Sequence, residues 1–344
     1  VHNRAGDLLK STWLDDFFQS PGQRWTGDST VHFDAHRNRW VVTSLEVDPA
    51  VTQRGLLLAV SQGTDPTGSW VVRSLPYPAE PGLDQPRAAL TPNWLLIAAD
   101  FAPTNQVVAG RIWAVPAVAL STSDVVQAHQ LATHMRFAPA EVPPGEADRM
   151  AFLDSPDLRL RTFASQGGAI AAVADLAIKG LPWTNKGPWH WPQAGSARSL
   201  NTGSYHASRG TARGELTWWT VQATTASAKA PGVAWFAVNA QAEVVHVGLI
   251  GASDDAVARM YPSLALTGAG DLLLGYSSLS SAGYAGAGYS WRAAADPAGT
   301  MRGERAFQPG LGPYDLGSCQ DKICRFGDYS ATVVDPRFAD QLWT

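Results

Sequence analysis

The chain has 344 residues, of which 45% are hydrophobic and 16% charged, and its formal net charge is −4. This composition can build a large core and excludes a disordered chain. The acidic balance argues against a nucleic-acid partner, and no apolar run approaches the roughly 20 residues that a membrane-spanning helix needs.

Short apolar runs of strand length recur along the chain, separated by clusters of Gly, Pro, Asn, Asp and Ser. Such runs are typical of antiparallel strands joined by hairpins. In chain order, we predict strands over residues 1–9, 29–33, 39–44, 55–61, 94–99, 168–174, 216–221, 233–238, 271–276 and 331–334. Helical periodicity is confined to residues 11–18 and 118–131.

A repeated pattern runs through these strands, because small or polar clusters precede an apolar strand, a turn and a second apolar strand. The clusters lie at residues 25–30, 83–87, 203–206, 260–263 and 326–330. A repeat of tens of residues predicts an all-β propeller of four-stranded antiparallel blades. We expect six blades, with seven as the alternative, in one domain over 1–344 that its N- and C-terminal strands close.

Two turn sequences support this architecture. Asp65-Pro-Thr-Gly68 and Asp296-Pro-Ala-Gly299 each follow an apolar strand and specify tight hairpins. They resemble the Asp-box turns of sialidase-like propellers, with one residue more between Asp and Gly. The chain resembles, nearly end to end, a group of secreted bacterial β-propeller proteins. The resemblance is strongest over residues 27–40, 64–70 and 248–336 and weak between about 106 and 192. The resemblance implies a secreted or cell-surface bacterial protein, often one domain of a longer chain, and no particular activity; we expect a monomer.

Polar residues at the blade starts are the candidate site, because the first strand of each propeller blade lines the central axis. We expect His206, Tyr329 and Arg87 to be catalytic, Asp84 and Tyr261 to bind ligand, and Asp28 and Asp328 to bind a metal. Calcium suits two carboxylates that would otherwise repel each other. Alternatively, the two metal candidates accept backbone N–H bonds that tie strands together, His206 packs in the core, and Arg87 balances Asp84.

Loop aromatics extend the ligand-binding set. Trp189 and Trp191 lie in a stretch too rich in Pro and Gly for regular structure. Exposed aromatic rings there can stack on sugars or on a partner protein. The alternative is packing between blades.

The two cysteines, Cys319 and Cys324, lie close together among turn-forming residues. This spacing suits a short loop disulfide in an oxidising compartment. A structural zinc site would need further ligands, and two reduced cysteines are the remaining alternative.

Two functions therefore stay open. The first is a secreted propeller that binds a glycan or a protein through its axial face and loops. The second is a carbohydrate-active enzyme, a polysaccharide lyase or a glycosidase acting on acidic sugars. In that enzyme His206 or Tyr329 would move a proton, while Arg87 or a bound cation would neutralise a uronate carboxylate.

Overall fold

A computed structural model describes residues 1–19, 25–48, 53–75, 80–101, 109–121, 129–134, 137–166, 169–184, 190–203, 207–225, 230–251, 257–315 and 319–344. Strands dominate these residues, which contain one α-helix, α1 (Leu14–Phe18). None of the helices described is long and apolar enough to cross a membrane. The chain divides into two compact units, of which unit 1 is Val1–Phe152 with Thr162–Val173 and unit 2 is Leu153–Arg161 with Ala174–Thr344.

Unit 1 contains two antiparallel sheets whose strands follow chain order, β1-β2-β3-β4 and β6-β7-β8-β9, and β5 adds to β3. The strands of unit 1 are β1 (Trp25–Asp34), β2 (Arg39–Asp48), β3 (Gln53–Ser61), β4 (Trp70–Ser74), β5 (Glu80–Pro81), β6 (Leu83–Leu90), β7 (Trp94–Phe101), β8 (Ala109–Pro116), β9 (His129–His134) and β10 (Phe137–Glu141). The boundary between the units runs through β11 (Met150–Asp154), β12 (Arg159–Gln166) and β13 (Ala169–Ala177).

The core of unit 1 covers both faces of the second sheet. On β7, Leu95 and Ile97 belong to one buried cluster, and Leu96 and Ala98 belong to another. Because successive side chains of a strand point to opposite faces, a strand buried on both faces reads as one continuous apolar run. This explains why β7 lacks the alternation of a half-exposed strand.

Unit 2 contains the antiparallel series β16-β17-β18-β19 and β20-β21-β22-β23, the smaller sheet β14-β15-β25-β24 and the pair β26-β27. Its strands are β14 (His190–Pro192), β15 (Ser199–Asn201), β16 (Gly210–Arg213), β17 (Leu216–Ala223), β18 (Gly232–Val238), β19 (Val244–Ile250), β20 (Val257–Leu266), β21 (Leu272–Ser280), β22 (Gly283–Arg292), β23 (Arg305–Gln308), β24 (Cys319–Gln320), β25 (Ile323–Cys324), β26 (Val333–Val334) and β27 (Leu342–Trp343). Cys319 and Cys324 form a disulfide across β24 and β25.

The predicted all-β fold class is confirmed in its elements, because the four-stranded antiparallel meander is the blade of a β-propeller. The Asp65 turn joins β3 to β4, and the Asp296 turn joins β22 to β23, so both occupy the last hairpin of a sheet. Blade number, closure into one domain over 1–344 and the Asp-box assignment stay predictions.

Two local predictions need correction. The helix predicted over residues 118–131 is wrong in its described parts, because Ala117–Ser121 is a 3₁₀ turn and β9 pairs with the edge of β8. Sheet pairing here prevails over a weak helical pattern. Residues 1–9 form a small hairpin with the bridge His2–Leu8 instead of a long strand. The latch between that segment and residues 326–344 joins different units and stays a prediction.

Two hairpin turns repeat the same backbone in different parts of the chain. Asp34 ends β1 and Asp154 ends β11, and both side chains are buried. Each turn ends on a residue in the left-handed region, Asn38 with φ 52° and Leu158 with φ 50°. The two aspartates therefore occupy matching positions.

Candidate functional site

A β-bulge recurs on the first strand of three sheets, β1, β6 and β20. In each, two residues of the first strand stand opposite one residue of the second. The first bulged residue has positive φ, at Asp28 (52°), Gln85 (48°) and Tyr261 (51°). Such a conformation costs a non-glycine residue of order 1 kcal/mol and concentrates at functional sites, as bulges do.

The bulges of β1 and β6 bring charged side chains together in unit 1. Asp28 Oδ2 accepts a hydrogen bond from the backbone N–H of Gln85 at 3.3 Å. Arg87 Nη2 donates to Gln85 Oε1 at 2.9 Å, and its Nη1 forms an ion pair with Asp100 Oδ1 at 3.1 Å. Asp84 stands directly opposite Asp100 in the register, so both side chains share one face of the sheet. We call Asp28, Asp84, Gln85, Arg87 and Asp100 the acidic bulge cluster.

The cluster has a buried part and a solvent-accessible part. Arg87 is 9% exposed and Asp100 is 1% exposed. Asp28 and Asp84 are half-buried. A desolvated guanidinium bonded to a buried carboxylate is held firmly. The ion pair is therefore the buried part of the cluster, and the two half-buried carboxylates are its solvent-accessible part.

Three of the residues that the sequence selects, Asp28, Asp84 and Arg87, lie in one cluster. Their roles in catalysis, ligand binding and metal binding stay predictions. The hydrogen bond of Asp28 to Gln85 N–H ties two first strands together, as its alternative interpretation held. Arg87 pairs with Asp100, and neither Asp100 nor Gln85 was singled out from the sequence. The sequence signal that could have identified Asp100 is its position directly after the apolar run of β7.

The equivalent bulge of unit 2 carries an aromatic ring instead of charge. Tyr261 is 4% exposed, and its hydroxyl donates to Asn201 O at 3.2 Å. A Cβ on Gly203 would lie 2.7 Å from the ring, and a Cβ on Gly327 would lie still closer to it. Burial, and then the nearby carboxylate of Asp328, raise the pKa of the Tyr261 hydroxyl. The ring fills a slot between two glycines and is a packing element.

Two other residues that the sequence selects, Asp328 and Tyr329, lie beside the Tyr261 ring. Ser330 Oγ donates to Tyr261 O at 2.6 Å, which places the segment of Asp328 and Tyr329 against the bulge. Asp328 forms an ion pair with the exposed Arg325 at 3.0 Å, and Tyr329 is 36% exposed. Tyr261, Asp328 and Tyr329 therefore lie in one region of unit 2, and their position at a central axis stays a prediction.

Two predicted residues, His206 and Trp189, lie outside the described residues. Trp191 lies on β14, half-buried against the buried cluster that contains Tyr261. A common cavity for Asp28, His206, Asp328 and Tyr329 stays a prediction, because Asp28 belongs to unit 1 and the others to unit 2.

A metal site needs several ligand atoms close to one another. Within the described residues, one group of three or more His, Cys, Asp and Glu has ligand atoms within 4.8 Å of one another, namely Asp315, Cys319 and Cys324. Both sulfurs there belong to the disulfide. The three carboxylates of the acidic bulge cluster do not converge to that distance. Calcium at Asp28 and Asp328 stays a prediction.

No protein-family model matches the chain, and no curated protein matches it. The chain is similar to several solved structures, each with low identity. An α-L-arabinanase of Penicillium chrysogenum, solved with arabinobiose, is 11% identical with a TM-score of 0.40, covering 66% of this chain and 67% of that one. A GH43 endo-arabinanase of Bacillus licheniformis is 8% identical with a TM-score of 0.38, covering 75% and 90%.

A puromycin-hydrolyzing peptidase of Mycobacterium tuberculosis is 10% identical with a TM-score of 0.31, covering 75% of this chain and 43% of that one. TM-scores this low assign neither a family nor an activity to the chain. The residues of the acidic bulge cluster, and not these neighbours, indicate its chemistry.

Proposed function

We propose that the protein is a carbohydrate-active enzyme that cleaves glycosidic bonds at the acidic bulge cluster. One observation carries the proposal: two half-buried carboxylates, Asp28 and Asp84, lie on the first strands of two sheets in one cluster with a buried Arg87–Asp100 ion pair. Paired carboxylates at a partly desolvated surface are the groups that glycoside hydrolysis requires.

The reaction needs one proton donor and one base or nucleophile. A carboxylic acid protonates the glycosidic oxygen as the bond to the anomeric carbon breaks. A carboxylate activates a water that attacks the anomeric carbon, or it attacks that carbon itself to form a glycosyl ester that water then hydrolyses. We assign these two roles to Asp28 and Asp84 as a pair.

The other members of the cluster are positioning residues. Asp100 anchors Arg87, and Arg87 holds the side chain of Gln85. The backbone N–H of Gln85 fixes the Asp28 carboxylate. This chain of bonds links the buried Arg87–Asp100 ion pair to the Asp28 carboxylate. It restricts the conformations of that carboxylate, so less conformational entropy is lost during the reaction. Arg87 acts through these contacts because Asp100 and Gln85 occupy its guanidinium.

Secretion is part of the proposal. The Cys319–Cys324 disulfide supports it, because such bonds persist in oxidising compartments. The alternative function is binding of a glycan without cleavage, with the same carboxylates accepting hydrogen bonds from sugar hydroxyls.

A panel of neutral and acidic polysaccharides tests the proposal, with reducing-end release measured for the wild type, Asp28→Asn and Asp84→Asn. The control is Asp16→Asn, which changes an exposed carboxylate on α1 of the same unit. We expect turnover by the wild type and the control, and roughly a 10²-fold or greater loss in both cluster variants. Binding without turnover would favour the alternative, and no interaction with any glycan would contradict both.

A further inference from the structure

We infer that unit 2 carries a second ligand site, a cleft that binds a neutral saccharide. The cleft has a volume of about 720 Å³ and lies between the end of β13 and the turn that joins β18 to β19. This volume falls within the usual range of small-molecule sites. None of its lining residues belongs to the acidic bulge cluster, so the inference does not require cleavage at that cluster.

The floor of the cleft is aliphatic. Leu176, Val244 and Val247 line it, and all three are half-buried. A sugar ring presents C–H groups on its faces, and burying them against aliphatic side chains is favourable at roughly 25 cal/mol per Å². The floor therefore suits the face of a ring or of a short chain of rings.

The rim supplies polar groups that have no hydrogen-bond partner among the described residues. The Lys179 ammonium and the Gln241 side-chain amide make no hydrogen bond within the described part of the chain. Glu243 Oε2 accepts a hydrogen bond from Asn239 at 2.7 Å, which leaves Oε1 for a ligand. Sugar hydroxyls both donate and accept, so they match a rim with a cation, an amide and a carboxylate oxygen.

The charge of the lining argues for a neutral ligand. Arg159 and Lys179 carry two positive charges, and Asp175 and Glu243 carry two negative charges. Asp175 is held in the wall, because its Oδ1 pairs with Arg159 Nε at 2.6 Å and its Oδ2 pairs with Arg161 Nη1 at 3.1 Å. A balanced rim gives no net attraction for a polyanion or a polycation.

The test measures binding by calorimetry on the full chain, with separate neutral oligosaccharides of two to six residues and with uronate oligosaccharides. The double variant Lys179→Ala/Gln241→Ala removes rim groups that make no hydrogen bond or ion pair within the described residues. The matched control is Glu215→Ala, an exposed side chain in the β16–β17 turn of the same unit. We expect a neutral oligosaccharide to bind, a tenfold or greater rise in Kd for the double variant, and no change for the control.

Asp84→Asn separates this site from the proposed catalytic one. It should leave binding at the cleft unchanged while it lowers turnover by about 10²-fold or more. Equal binding by the wild type and the double variant would overturn the cleft site, and so would binding of uronate oligosaccharides alone or of no oligosaccharide. Binding at the cleft is measured by calorimetry and cleavage by turnover. The cleft site can therefore be supported or overturned whether or not the protein cleaves a glycan.

Discussion

Units 1 and 2 use the same backbone devices and fill them with different side chains. The first-strand bulge carries Asp28 and Gln85 in unit 1, where they join a charged cluster. In unit 2 it carries Tyr261, whose ring is buried between two glycines. The repeated backbone therefore marks a position in the fold, and the side chain at that position decides whether it supplies chemistry or packing.

The matching hairpin turns show the same division. Asp34 accepts the N–H of His36 at 3.0 Å and pairs with Arg37 at 3.1 Å, three residues along. The position that matches Arg37 in the second turn is Asp157, a like charge. Asp154 pairs with Arg161 at 3.4 Å. Burial is the main cause that raises the pKa of Asp154 to about 6. The charges of Asp157 and Asp175 also raise it, while Arg161 and the backbone N–H of Asp157 lower it.

The largest expected effect concerns the packed bulge. Tyr261→Ala should lower the free energy of unfolding by about 3–5 kcal/mol, because it empties a buried slot for an aromatic ring. Tyr261→Phe should cost about 1 kcal/mol, because it removes only the hydrogen bond to Asn201 O. Urea unfolding measures both. A loss below 1 kcal/mol for Tyr261→Ala would break the distinction between a packing bulge and a chemical one.

The second effect is a pH dependence that arises at Asp154. Its pKa in the folded state, about 6, lies above the ordinary value of 3.8, so the folded protein binds the proton more tightly than the unfolded chain. Stability should therefore fall as pH rises from about 4 through 6, by roughly 2–3 kcal/mol, and level off above. Thermal or urea unfolding across this range should show the slope in the wild type and a flatter profile in Asp154→Asn.

Asp157→Asn sharpens this test, because it removes a like charge and leaves the Asp154 carboxyl in place. Its pH profile should keep the slope and shift the midpoint to lower pH. A profile for Asp154→Asn that follows the wild type would show that another group titrates, and the two turns would then not differ as described.

The smallest effect separates ring contact from backbone strain. Gly327 (φ 78°) and Gly145 (φ 89°) both adopt positive φ, but a Cβ at Gly145 meets open space. Gly327→Ala should therefore lose about 1 kcal/mol more than Gly145→Ala, through overpacking against Tyr261. In the Tyr261→Ala background this excess should vanish. An excess that persists would place the strain in the backbone.

The sequence predicts much of the strand framework and less of the site. Residues 216–221 and 233–238 fall within β17 and β18, because β-branched and aromatic residues there are bounded by turns. The strand predicted over residues 331–334 is shorter in the structure, where β26 has two residues, because so short a strand has no periodic pattern that defines its ends. The contact between Asp28 and Gln85 joins positions 57 residues apart, which no local pattern encodes. Burial decides the role of Tyr261, and its sequence position resembles that of Asp28.

The most direct test of the central claim compares the bulges on the glycan that the wild type cleaves. We predict that kcat/KM falls at least about 10²-fold in Asp28→Asn and Asp84→Asn, with free energies of unfolding within about 1 kcal/mol of the wild type. Tyr261→Phe should retain kcat/KM within about threefold, because its ring packs and takes no part in the chemistry. Cluster variants that cleave as fast as the wild type, or a loss of activity confined to Tyr261→Phe, would contradict the account.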